Sequence, residues 1–300
     1  MALAKDLEPK DPERKAPANE PSADVFVSNL MLELAAGDIR LPSFPDIAAR
    51  VQQVLGDPGA APARVALVVG SDAALAARIL RLANSAFLNP SAMPIKDLQL
   101  ALTRLGHQLV RCTAVSFALQ QMNLGSGDAE LRPQLQKLWR EGALVAAIAY
   151  VLARETRAAN PDEALMTGLM HNIGQLYITV RSPHRGGSGG SGENWADVIR
   201  EEHPRIASLI LKHWEFPAAM VAAVGAQNHR DRGAVGDDAL TNILIAATAL
   251  VPCVFERALL VDTVAAVPPF QRLGLGPADC ERLLSVSAQQ IKSLRAALTG

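Results

Sequence analysis

SDAALAARILRLANSAF, residues 71–87, is an amphipathic helix written in its spacing. Leu75, Ile79, Leu82 and Ala83 recur at intervals of three and four, so they share one face, and Ser71 stands where an N-cap is needed. Arg78 and Arg81 are expected off that stripe, as solvated cations, and with Arg104 and Arg111 they could at most form a weak anion-binding face. The same period runs outward on both sides. DVFVSNLMLELAAG (24–37) reads as a short helix closed by Gly37. In LPSFPDIAARVQQVLGDPG (41–59), Pro42 and Pro45 set an extended entry, and Ile47, Val51, Val54 and Leu55 form a helical face. IKDLQLALTRLG (95–106) ends at Gly106, and HQLVRCTAVSFALQQM (107–122) resumes the pattern.

Beyond a polar stretch at 123–128, LQKLWREGALVAAIAYVLARE (135–155) is apolar nearly all round, as a central buried helix would be. NPDEALMTGLMHNIG (160–174) opens with Asn160 as cap, Pro161 in the first turn and Glu163 at the capping-box position. Further helices are expected over 194–213, 217–228, 238–258 and 277–298, and no alternating run is longer than YITV (177–180). Trp214 and Phe216, ahead of Pro217, read as core anchors. The fold class is therefore all-α.

Composition agrees. Of 300 residues 49% are hydrophobic but only 4% aromatic, so alanine, leucine and valine must fill the core. Twenty-nine basic and 30 acidic residues give a net charge of −1, which argues against nucleic acid or an anionic membrane as partner. Cys112, Cys253 and Cys280 are too far apart for a zinc knuckle and too few for a disulfide framework, which suits reduced thiols. No apolar run approaches the length of a membrane span, and the start has no signal-peptide core, so a cytoplasmic protein is expected. Residues 1–23 are Pro- and charge-rich and are expected to be a disordered tail. GGSGGSG (186–192) has the composition of a flexible linker, natural or engineered.

Three blocks, LPSFPDIAARVQQVLGDP, SDAALAARILRLANSAFLNP and IKDLQLALTRLG, resemble the N-terminal half of an HDOD domain. ALMTGLMHNIGQLYI and EEHPRIASLILKHWEFPAAMVAAVGAQNH resemble its second half, and the similarity runs over about 38–230. HDOD domains are bacterial regulatory modules related to the HD-type metal-dependent phosphohydrolases. The resemblance implies an N-terminal helical lobe (24–125) packed on a degenerate HD-like lobe with C-terminal helices (126–300). It also implies a signalling role through a protein partner.

An HD-type hydrolase needs a histidine, an adjacent His-Asp pair and a later aspartate around divalent cations. By resemblance these positions fall at Glu141, at His171-Asn172 and within NILIAATAL (242–250), which has no carboxylate. A carboxamide keeps an oxygen donor but brings no charge, and losing a unit charge weakens cation binding by several kcal/mol in a low-dielectric site. Gln175 stands where relatives often have lysine.

The chain is therefore expected to be no enzyme and to need no cofactor. The vestigial pocket comprises Glu141, His171, Asn172, His203 and His229. His171 reads first as a partly buried histidine bonded to a neighbouring helix. The sharper alternative brings His171, His203 and His229 together as a zinc-like site, with Glu141 as a further donor. His107 and His184 suit solvated roles, and His213 a packing or capping one. Two functional alternatives stay open: a sensor of a nucleotide second messenger such as cyclic di-GMP, and a residual metal-dependent phosphohydrolase.

Overall fold

The computed structural model describes residues 22–36, 46–57, 59, 61–85, 88–89, 93–125, 131–182, 195–229 and 238–299. All regular structure among them is helical. The order is α1 (Ala23–Ala35), α2 (Asp46–Gly56), α3 (Pro62–Gly70), α4 (Ala73–Ala83), α5 (Leu98–Gly125), α6 (Arg132–Thr156), α7 (Pro161–Met170) and α8 (Ile173–Arg181). Then follow α9 (Trp195–His213), α10 (Ala218–Ala226), α11 (Ala239–Phe255), α12 (Leu260–Ala266), α13 (Pro269–Arg272), α14 (Pro277–Val286) and α15 (Ala288–Thr299). The tail before Ser22, Pro42, Pro45, His184 and the 186–192 linker lie outside the described residues, as do the side chains of Cys112, Ser116 and Leu119.

Helices α2 to α5 pack into one lobe, and α6 to α11 into a second, with α5 lying against α6 and α7 at the seam. Alanine sets how closely the second lobe packs. Residues 143–149 of α6 are all buried, and a Cβ at Gly168 of α7 would stand 2.6 Å from the Ala146 Cα. The two helices meet backbone to backbone, which a chain poor in aromatics can do only where small side chains cross.

Several local expectations change. The α4 cap is Asp72, whose Oδ1 accepts from the amides of Ala74 and Leu75 at 2.9 Å. Ser71 instead closes α3, donating its hydroxyl to the Val68 carbonyl at 2.7 Å. Helix α3 is an addition, because PARVALVVG is short and valine-rich and buries only Val65 and Val69 fully. YITV lies inside α8, with Tyr177 and Ile178 buried. The 277–298 helix divides at Ser287 into α14 and α15, and α15 packs on both α6 and α4. Gly106 does break the pattern: its φ of 73° and ψ of 161° interrupt α5 at the end expected for the first helix.

Arg78 is the largest correction. It is 2% exposed, its guanidinium 5.4 Å from the ring centroid of Trp139 on α6 and 5.9 Å from that of Phe117 on α5. Position 78 is three after Leu75 and four before Leu82, so it falls within the buried stripe. Burial, with Arg81 as a lesser cause, pulls its pKa down to about 10, and the cation is held against two aromatic faces at the lobe seam.

Helix α1 also changes sides. Expected in the N-terminal lobe, it packs instead on α9 of the second. Arg181 of α8 donates to Glu33 at 2.9 Å, and the Phe26 and Trp195 rings lie 5.7 Å apart. The amphipathic pattern of 24–37 shows that it docks but not where. Phe216 is buried with Trp214 beside it at 6.5 Å, in keeping with the core-anchor reading.

Candidate functional site

His171 and Asn172 form the two-residue turn between α7 and α8. His171 Nδ1 lies 2.7 Å from the Gly168 carbonyl, one turn back, and in the neutral ring it donates there. Asn172 Nδ2 donates to the Leu138 carbonyl of α6 at 2.7 Å. Gly142, one turn further along α6, makes room for this: a Cβ there would stand 3.2 Å from Asn172 Oδ1. Gln227, the C-cap of α10, donates Nε2 to the His171 carbonyl and to that of Val224, both at 2.9 Å. Helices α6, α7 and α10 are thus tied to one turn through backbone carbonyls.

His203 of α9 approaches the same turn. It lies close enough to His171 for that ring to disfavour its protonation, and both are 7% exposed. Its backbone carbonyl presses on Gly174, where a Cβ would stand 2.0 Å away. His203 Nδ1 is buried without a hydrogen-bond partner among the described residues.

Burial holds both imidazoles neutral. It lowers the His171 pKa to about 4 against the opposing pull of the Gly168 bond. It lowers His203 to about 3, with His171 as the second cause. The folded values lie below the unfolded 6.5, so the unfolded chain binds more protons as pH falls. The resulting stability is complete above pH 6.5 and is lost progressively toward pH 4. For His171 alone the change amounts to about 3 kcal/mol. Urea denaturation from about pH 7 to pH 4 should show this loss. The His171→Gln/His203→Gln variant should show a shallower slope; equal slopes would contradict it.

The other expected donors are elsewhere. Glu141 is half-exposed and faces Lys137 at 3.8 Å as a surface i,i+4 pair. His229 is exposed just after α10. The 242–250 segment lies in α11 and carries no carboxylate; Asn242 Oδ1 there accepts from Arg272 at 3.3 Å. The three-histidine convergence is therefore not formed. Among the described residues no three His, Cys, Asp or Glu side chains are placed to hold a metal ion.

A divalent cation does not fit this donor set. One carboxamide brings no charge and spends its N–H on a carbonyl, one imidazole is bonded to Gly168, and the carboxylate expected on α11 is missing. Gly142 and Gln227 are the members that sequence reading did not single out. Gln227 could have been noticed as the polar end of the otherwise apolar run AAMVAAVGA.

Comparison with known proteins agrees with this architecture. The HDOD domain model matches residues 41–230, more than half of the chain. A structure of a proposed metal-dependent phosphohydrolase from Shewanella amazonensis SB2B aligns with a TM-score of 0.73 at 25% identity, covering 92% of this chain and 99% of that one. An HDOD domain protein of unknown function from Geobacter sulfurreducens aligns at 0.61 and 22% identity, covering 92% and 98%. A proposed signal transduction protein from Marinobacter aquaeolei VT8 aligns at 0.54 and 20% identity, covering 93% of this chain and 66% of that one. No curated protein matches the chain. No described helix is long and apolar enough to cross a membrane. The matched span takes in α2 to α10, with the first lobe, most of the second and the His171-Asn172 turn, and the chain belongs to the HDOD domain family.

Proposed function

We propose that this chain is a non-catalytic signalling module that acts by binding another protein. One observation carries the reading: at position 172 a carboxamide donates to the Leu138 carbonyl and so latches α6 to the α7–α8 turn. The residue type and its hydrogen bond both suit a structural tie, and the carboxamide brings a cation no negative charge. The description of the Marinobacter relative as a proposed signal transduction protein points the same way.

The competing reading is a metal-dependent phosphohydrolase, which the description of the Shewanella relative brings into view. Against it stand the outward Glu141, the neutral carboxamide and the carboxylate-free face of α11. Without anionic ligands there is little to hold a cation or to acidify its water.

The test is affinity purification of the tagged chain from its native host under mild salt. A protein partner is expected at constant stoichiometry, retained by the Asn172→Ala chain wherever that variant is folded. Recovery of the bait alone across several salt conditions would count against the proposal.

A further inference from the structure

A cavity of about 400 Å³ opens at the lobe seam, where the Gly106 break of α5 faces the starts of α7 and α10. Its walls are apolar, with Leu109 from one lobe and Met166 and Met220 from the other. Its polar rim carries Asp162 and Glu163, with His107 opposite.

These two carboxylates are not consumed by the helix they begin. Asn160 Oδ1 already takes the amides of Asp162 and Glu163, at 2.8 and 3.2 Å, so the capping-box role expected of Glu163 is not used. Neither carboxylate forms an ion pair or accepts a hydrogen bond among the described residues. Their charge is felt nearby. Burial raises the Asp162 pKa, and Tyr150 is raised to about 12 by burial first and by Asp162 second. A second cavity of about 280 Å³, lined by Val65, Leu102 and Val110, shares Gly106 and His107 with the first.

We propose that this cleft receives a lysine or arginine side chain from a segment of a partner protein, its stem along Met166 and Met220 and its cation at Asp162 and Glu163. An adjoining apolar side chain then fills the neighbouring cavity. Long cationic side chains suit such a site because their methylene stems pack on apolar walls while the head keeps its charge paired. Two contiguous cavities of different character favour a peptide segment over a small free cation. This inference rests on the protein-binding reading above and names the surface that does the binding.

The probes are blocked pentapeptides, Ac-Ala-Ala-X-Ala-Ala-NH2 with X as Arg, Lys, norleucine or Glu, titrated into the full chain labelled at methionine methyls. The Arg and Lys peptides are expected to shift the Met166 and Met220 methyl signals, with affinity about tenfold or more above the norleucine and Glu peptides. The Asp162→Asn/Glu163→Gln variant, which keeps side-chain volume and the Asn160 cap, should lose that preference.

Absence of shifts at both methyls, equal binding of norleucine and Arg, or an unchanged preference in the variant would each overturn the cleft. The comparison among peptides on the wild-type chain decides the matter even if the variant folds poorly. A host partner that binds the variant as tightly as wild type would also overturn the cleft, and would leave the protein-binding reading standing.

Discussion

Gly174→Ala should lower the unfolding free energy by at least about 3 kcal/mol, at the upper end of what overpacking costs. The added methyl would stand 2.0 Å from the His203 carbonyl oxygen and 2.7 Å from the Ala207 amide nitrogen. Both are backbone atoms of α9, so no rotamer change can move them away. Helices α8 and α9 must separate, which opens the buried surroundings of His203 and loosens the turn bearing Asn172. Gly56→Ala is the matched control: nothing lies within 4 Å of its Cβ, and its effect should stay within about 1 kcal/mol of wild type. Urea midpoints with unchanged slopes read the difference. A Gly174→Ala chain as stable as the control would mean that α8 and α9 do not approach this closely.

Asn172→Asp, which writes the His-Asp pair of an HD-type hydrolase at this turn, should destabilise the fold and create no activity. The amide N–H that now donates to Leu138 becomes an oxygen facing an oxygen, at a position 8% exposed. Breaking the bond and burying an unpaired charge costs about 3–5 kcal/mol at neutral pH. The carboxyl can escape by keeping its proton and donating it to the Leu138 carbonyl. Its folded pKa is then raised above the unfolded value of about 3.9. The destabilisation should therefore be small at acid pH and grow as pH rises through neutrality. Asn172→Ala loses only the hydrogen bond, so its cost should be about 1–2 kcal/mol and independent of pH. An Asn172→Asp chain as stable as wild type at about pH 8 or above would show a counter-charge that the described residues lack.

Much of the helical framework is legible in the chain, because apolar period, Pro–Gly punctuation and Asn/Asp caps act locally. Asn160 caps α7 as expected, and residues 142–149 of α6 form a buried centre. What sequence misses depends on partners brought in from afar. Arg78 reads as solvated when its charge is weighed above its position, yet the rings that cover it come from α5 and α6. Nothing within 24–37 reveals that α1 docks on α9, since amphipathicity names a face and not its partner.

The site divides along the same line. That position 172 lacks charge is visible in one letter, and its meaning follows from elementary electrostatics. That its amide is tied to Leu138, with Gly142 clearing the space, depends on how helices cross and shows only in the folded chain. The expected meeting of His171, His203 and His229 fails for a similar reason: residue type suggests ligands, while His229 sits exposed past the end of α10.

Phosphoester hydrolysis by the purified wild-type chain, with saturating manganese and activated mono- and diester substrates, tests the proposed non-catalytic role directly. The rate should equal that of buffer and manganese alone, and the chelated sample should behave identically. Turnover that requires both protein and metal, and that disappears with chelator, would show that a cation is held beside the carboxamide after all.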